Sequence, residues 1–287
     1  MHLAHRHRRA ARRIVIKMAA MSRQVYLFSV RRSDIGPCAD AFFSRPDPAP
    51  RPLSMCGRFT HRYTWAEIQR LYRLTSPASN VQPSYNVCPT DTVNVVTSSD
   101  DTRILQPMRW GLVPRWWSKP LKELMRLSTF NARVETVTTK PFFREAFKQT
   151  RCIIPASGYY EWQDTPGGKQ PHYFTRTDGQ VISFAGLWDE WKDRATGETM
   201  KSCTMIITEP NAMVAEVHDR MPVLLEPDQF TPWLENEADL EIFEARGRWR
   251  ASTMGRVEAR ERNVVSVTPG VVTTPCPEAS AALIMVK

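Results

Sequence analysis

Four runs in the second half of the chain limit what it can fold into: "RCIIPASGYYEWQ" from Arg151, "PHYFTRT" from Pro171, "VISFAGLWDEW" from Val181 and "SCTMIITEP" from Ser202. Each is rich in β-branched and aromatic residues and is read as strand. Gly and Pro punctuate them, as in "TPGGKQ" and "TDGQ", where the backbone must turn. Upstream, "DTVNVVTS" and "TRILQPMRWGLVP" predict two more strands around the acidic turn at Asp100 and Asp101. Helices are fewer. "TWAEIQRLYRL" places Ile68, Leu71, Tyr72 and Leu74 at helical spacing behind Thr64, a suitable N-cap. "KPFFREAFKQ", "EPDQFTPWLEN" and "DLEIFEARGRW" predict short later ones. The fold class is therefore α+β: a strand-rich single domain with mixed, barrel-like sheets and a few peripheral helices.

That domain is expected over residues 55–287, because residues 1–54 have a different texture. They begin with the basic run "HRHRRAARR" and end in the Pro-rich "SRPDPAPRPLS", a composition that resists regular structure. They carry eleven Lys and Arg against three Asp, +8 of the total +9, so the body is nearly neutral at +1. Any nucleic-acid surface on the body must then be a local patch rather than a global field. The extension reads as a transit peptide, as a disordered nucleic-acid-binding arm, or as sequence upstream of a true start at Met55.

Composition closes other routes. No run approaches the roughly 20 apolar residues of a membrane span. The six cysteines are scattered with no CxxC pair, so spacing predicts no zinc or iron–sulfur site, and neither a metal nor a cofactor is expected. Without a recognisable secretory signal the thiols are read as reduced and intracellular.

Chemistry concentrates at a few places. In "SMCGRFTHRY", Cys56 follows a Met and precedes Gly57. Were Met55 the initiator, its removal would leave Cys56 with a free α-amino group. That amine has a pKa of about 7.7–8.0 and is partly neutral at physiological pH. It can attack an aldehyde, and the adjacent thiol can close on the imine to give a thiazolidine. An internal cysteine has only an amide nitrogen and cannot do this. In "STFNARVETV", Asn131, Arg133 and Glu135 alternate, so on a strand they would share one face. Glu161 stands among Tyr159, Tyr160 and Trp162, surroundings that raise a carboxyl pKa. His218 leads "HDRMPVLL" and suits acid–base work. Trp116 and Trp117, behind Pro114 and Arg115, look like exposed stacking surfaces beside a cation. Taken singly, each of these also fits a structural role.

Their order along the chain is more specific. "MCGRFT", "SYNVCPT", "MRWGLVPRWW", "FNARVET", "RCIIPASGYYEWQ", "FAGLW" and "VHDRMPV" together resemble the SOS response-associated peptidase family, whose members are also called abasic-site processing proteins. The likeness is strong from Met55 to about Leu225 and looser to Ile284. It implies a domain that crosslinks through an N-terminal cysteine to the ring-opened aldehyde of an abasic site in single-stranded DNA, shielding the lesion during repair. On that likeness Cys56 is the nucleophile through nitrogen and sulfur. Asn131 positions the α-amino group and the sugar, Glu161 carries protons, and His218 helps open the deoxyribose ring. Arg58, Arg133 and Arg220 hold phosphates, and Trp116 and Trp117 with Pro89 wedge at the lesion. A lyase side activity is implied where an imine lingers.

The resemblance also implies a monomer in the cytoplasm, associated with the nucleoid when bound to DNA. It departs from the family pattern at Thr268, where a His is expected, and in the 54 upstream residues. Because a fused peptide would abolish the chemistry, the alternative start at Met55 is favoured, with self-cleavage before Cys56 as the other route. Two rival readings stand beside it: a cysteine-type peptidase with Cys56 as nucleophile and His218 as base, and a non-catalytic single-stranded DNA-binding module.

Overall fold

The computed structural model describes residues 56–100, 102–237 and 254–258, together with the backbone at Ile14–Ile16 and Phe28–Val30. Two compact units are distinguished, Met1–Leu53 and Ser54–Lys287. In the first, β1 (Ile14–Ile16) pairs antiparallel with β2 (Phe28–Val30). The helix expected at "DLEIFEARGRW" and the departure at Thr268 lie outside the described residues.

The second unit opens with β3 (Arg58–His61), α1 (Trp65–Tyr72), β4 (Ser84–Val87), β5 (Thr92–Ser99) and β6 (Thr102–Trp110). It continues through α2 (Leu121–Leu124), β7 (Asn131–Arg133), α3 (Arg144–Gln149), β8 (Arg151–Ala156) and β9 (Gly158–Thr165). Next come β10 (Gly168–Arg176), β11 (Ile182–Lys192), β12 (Thr199–Thr208) and α4 (Ala212–Ala215). Last are β13 (Met221–Pro222), α5 (Phe230–Leu234) and β14 (Met254–Glu258). No helix among the described residues is long and apolar enough to cross a membrane.

Two sheets result. The strands β11, β8, β5, β6 and β12 are hydrogen-bonded in that order, and β12 pairs back onto β11, so the five close into a barrel. Closure removes the unpaired edges an open sheet would expose. The barrel is mixed as expected: β12 runs parallel to β6 and β7, while the other pairings within it are antiparallel. The second sheet has the order β14–β10–β9–β3–β4 and is antiparallel throughout.

The continuous apolar runs have a packing cause. On β8, Cys152, Ile154 and Ala156 join one core with Phe59, Tyr159 and Phe174 of the second sheet. Ile153, between them, faces another core with Ile68 and Tyr72 of α1, Phe147 of α3 and Trp233 of α5. β12 repeats the pattern, with Cys203, Met205 and Ile207 on the first face and Ile206 on the second. Strands covered on both faces have no polar side to alternate.

Local signals explain the rest. Thr64 caps α1 through the Glu67 N–H, and the Glu67 carboxylate accepts the Thr64 N–H at 2.6 Å, a reciprocal capping box. α1 ends where Arg73 turns left-handed at φ 55°. β5 and β6 form the expected hairpin, in register from Thr92 opposite Arg109 to Ser99 opposite Thr102. One expectation fails. The strand carrying Asn131 ends at Arg133, and Val134–Thr136 form a 3-10 turn, so Glu135 does not share a strand face with Asn131.

Candidate active site

Cys56 lies two residues ahead of β3, and β3 is the strand on which the site hangs. It is clamped between β4 and β9, with Arg58 opposite Tyr160, Phe59 opposite Tyr159 and Thr60 opposite Gly158. This register brings Cys56 beside Glu161 of β9. On the other side of β9, Gly158 lets β10 pack close, since a Cβ there would lie 2.3 Å from the Tyr173 hydroxyl and 2.6 Å from the Phe174 carbonyl.

Three further segments converge. Asn131 of β7 donates from Nδ2 to the Cys56 carbonyl at 2.8 Å. After α4, capped by Asn211 through the Val214 N–H at 3.0 Å, the chain delivers His218 with its Nε2 3.6 Å from Glu161 Oε2. The turn that follows places the Arg220 carbonyl 3.7 Å from Cys56 Sγ, close enough to accept the thiol proton, and the Arg220 N–H donates to His218 Nδ1 at 3.0 Å. Cys56, Asn131, Glu161 and His218, 75 to 162 positions apart from the cysteine, are all buried. Sequence reasoning named these four, and they stand together.

Electrostatics define what the group can do. Burial pushes the Glu161 carboxyl up to about 8, beyond what its hydrogen bond with Cys56 offsets, so it is mostly protonated at neutral pH. Burial, then the neighbouring Glu161, also raise the Cys56 thiol well above its ordinary value. Two polar atoms here have no hydrogen-bond partner among the described residues: Glu161 Oε1 and Asn131 Oδ1. A buried polar atom without a protein partner calls for a catalytic role, an ordered water or an ion. Cys56 Sγ, a Glu161 oxygen and a His218 nitrogen also lie within 4.8 Å of one another, a spacing that can hold a metal ion.

The residues expected to contact DNA are more dispersed. Trp116 is 45% exposed, but Trp117 is 7% exposed, so the expected pair of stacking surfaces is corrected to one. Trp117 belongs to a small core with Val113, Leu124 and Trp191, and its carbonyl accepts the Trp191 indole N–H at 2.7 Å. The cation beside them, Arg115, is tied to buried Asp189 at 2.8 Å. Arg58 and Arg133 are half-buried, the former donating to Asn86 Oδ1 at 2.7 Å. Pro89 is half-buried. Arg220 is ion-paired with Glu135. Sequence reasoning missed the Arg220 carbonyl, because a backbone acceptor leaves no mark on residue type. It also missed Glu135 as the partner of Arg220, although both lie in motifs it had marked.

Residues 55–264 match the family described as SOS response associated peptidase, SRAP. The chain belongs to this family. It is 37% identical over 183 residues to the abasic site processing protein YoaM of Bacillus subtilis, covering 63% of this chain and 79% of that one. It is 30% identical over 190 residues to the abasic site processing protein YedK of Escherichia coli, covering 64% and 81%. A solved protein from Bacteroides thetaiotaomicron superposes with a TM-score of 0.64 at 27% identity, covering 71% of this chain and 92% of that one.

Proposed function

We propose that this SRAP domain processes abasic sites in single-stranded DNA by forming a thiazolidine crosslink through Cys56. The chemistry requires a free α-amino group, so the active form begins at Cys56 after removal of Met55. The amine adds to the aldehyde carbon of the opened sugar. Water then leaves the carbinolamine with a proton from Glu161, and the nitrogen proton returns to the Glu161 carboxylate, giving an imine. The thiol adds to the imine carbon as its proton passes to nitrogen. One water is released and no redox partner is needed.

The residues divide the work. Asn131 holds the Cys56 carbonyl with Nδ2 and leaves Oδ1 to accept from the α-amine. Glu161 is a proton donor because burial keeps it protonated. His218, against Glu161 and the Arg220 N–H, is placed to shuttle the proton that opens the sugar ring. Arg58, Arg133 and Arg220 hold phosphates, and Trp116 with Pro89 stacks beside the lesion.

The observation that carries this reading is the environment of the thiol. A cysteine peptidase needs its thiol made acidic by a neighbouring cation. Here burial and a carboxyl raise it, His218 Nε2 faces Glu161, and the thiol's hydrogen-bonding neighbours are the Glu161 carboxyl and the Arg220 carbonyl. A thiol held neutral beside a proton donor suits ring closure on an imine. The names of the relatives agree with the substrate.

The test uses a chain begun at Met55, the full 287-residue chain and single-stranded DNA with one abasic site. The Met55 chain is expected to give an adduct that survives denaturation, and the chain retaining residues before Cys56 none. Absence of an adduct from the Met55 chain, confirmed by mass to begin at Cys56, overturns the proposal.

A further inference from the structure

We propose that Cys56, Glu161 and His218 form a latent site for a divalent cation of the zinc class, completed by the α-amino group of Cys56, and that the cation reversibly blocks crosslinking. The inference rests on the free amine of the proposed function. Sequence spacing predicts no such site, because its ligands come from three distant segments that only the fold unites.

The geometry is close to what such an ion needs. Tetrahedral zinc with ligand bonds of about 2.0–2.3 Å sets its donors roughly 3.3–3.8 Å apart. His218 Nε2 and Glu161 Oε2 are already 3.6 Å apart, and with Cys56 Sγ the donors span no more than 4.8 Å. The amine and thiolate of one N-terminal cysteine chelate a metal in a five-membered ring. The set is then two nitrogens, one sulfur and one oxygen, a combination that favours zinc over magnesium or calcium. One thiolate and one carboxylate cancel the charge of the ion, so a neutral cluster fills a buried site. Binding releases the thiol and carboxyl protons to solvent.

The surrounding bonds change with occupancy: in the metal-free site the Arg220 N–H donates to His218 Nδ1 at 3.0 Å, and metal at Nε2 replaces that bond with one from Nδ1–H to the Arg220 carbonyl. A metal-bound histidine donates its other ring N–H to a fixed acceptor, commonly a backbone carbonyl. The Arg220 carbonyl lies 3.0 Å from His218 Nδ1 as well as 3.7 Å from Cys56 Sγ. Without metal it accepts a hydrogen bond from the thiol, which keeps its proton. Once the thiol is ionised by metal it is released to accept Nδ1–H, which frees the Nε2 lone pair. The unpartnered Glu161 Oε1 lies in the same cluster. Every donor is also a group the crosslinking reaction uses, so occupancy and reaction exclude one another.

The experiment titrates the chelator-stripped Met55 chain with Co2+, whose thiolate charge-transfer and tetrahedral ligand-field bands report the ligand set. Both bands are expected to saturate at a single site and to bleach when Zn2+ displaces the cobalt. Equimolar Zn2+ should slow crosslinking at least about 10-fold, EDTA should restore the rate, and Mg2+ should leave it unchanged. Glu161→Gln and His218→Ala, checked for folding by circular dichroism, should each weaken Co2+ binding by more than the roughly 10- to 100-fold that follows loss of an outer-shell partner. So should an extra residue retained ahead of Cys56, which removes the amine without touching the pocket. A missing thiolate–cobalt band, or a Co2+ affinity unmoved by all three changes, overturns the inference. A chain that crosslinks in EDTA yet shows no cobalt band rejects the metal site and keeps the proposed function. A chain that binds cobalt yet forms no adduct in EDTA rejects the proposed function and, with it, the blocking role of the cation.

Discussion

Cys56 and the pair Cys152 and Cys203 are all free, all buried and all raised in pKa, yet they occupy two different kinds of interior. Cys152 on β8 and Cys203 on β12 face the apolar core between the barrel and the second sheet, and both are fully buried. Cys56 shares that core on one side, but on the other it meets a carboxyl, an imidazole and two open acceptors. Burial therefore does not separate the cysteine proposed to react from those of the apolar core. The polar groups gathered around it, and whether their bonding capacity is filled, do.

The predictions press on that contrast. Cys56→Ala is expected to abolish the denaturation-resistant adduct, leaving at most an imine that borohydride can trap; a stable adduct in this variant, read on a denaturing gel, would erase the distinction between the two interiors. Glu161→Gln should slow crosslinking by about 10²–10⁴-fold, the usual share of a general acid, measured with single-stranded DNA in excess.

The same change sharpens the comparison through stability. The Glu161 carboxyl keeps its proton up to about 8 in the fold but loses it near 4.3 when unfolded. Its contribution is thus complete below about pH 4.3 and drains away as pH rises toward about 8. Thermal melts in chelator-containing buffer should show a decline across that window in the parent protein and a flatter profile in Glu161→Gln. Asn131→Ala removes one hydrogen bond to the Cys56 carbonyl and should slow crosslinking about 10-fold, with little change in DNA affinity by anisotropy. The smallest effect is expected inside the barrel core. Cys203→Ala should cost about 1 kcal/mol of stability and leave the crosslinking rate within about 2-fold.

Much of this was legible before the structure. Thr64 and the spacing of Ile68, Leu71, Tyr72 and Leu74 announced α1, and the acidic turn after Ser99 announced the hairpin of β5 and β6. Cys56, Asn131, Glu161 and His218 were marked by residue type and motif order. What could not be read was side-chain direction at adjacent positions. Trp116 and Trp117 have the same chemistry and neighbouring numbers, yet one faces out and the other is held under Trp191. Glu135 likewise falls two residues beyond the end of its strand, because the 3-10 turn begins at Val134. Barrel closure through the pairing of β12 with β11 is a long-range event with no local signature.

Chain ends ordinarily fray, and proteins tolerate additions there. Here the pairing of Arg58 with Tyr160 fixes how much backbone separates Cys56 from Glu161. With Gly57 as the single intervening residue, β3 works as a ruler with one graduation. One residue inserted at that point would turn the cysteine to the opposite face of the sheet, and one deleted would draw it past the carboxyl. With Cys56 heading the active chain as proposed, a label, tag or fusion partner belongs at the other end.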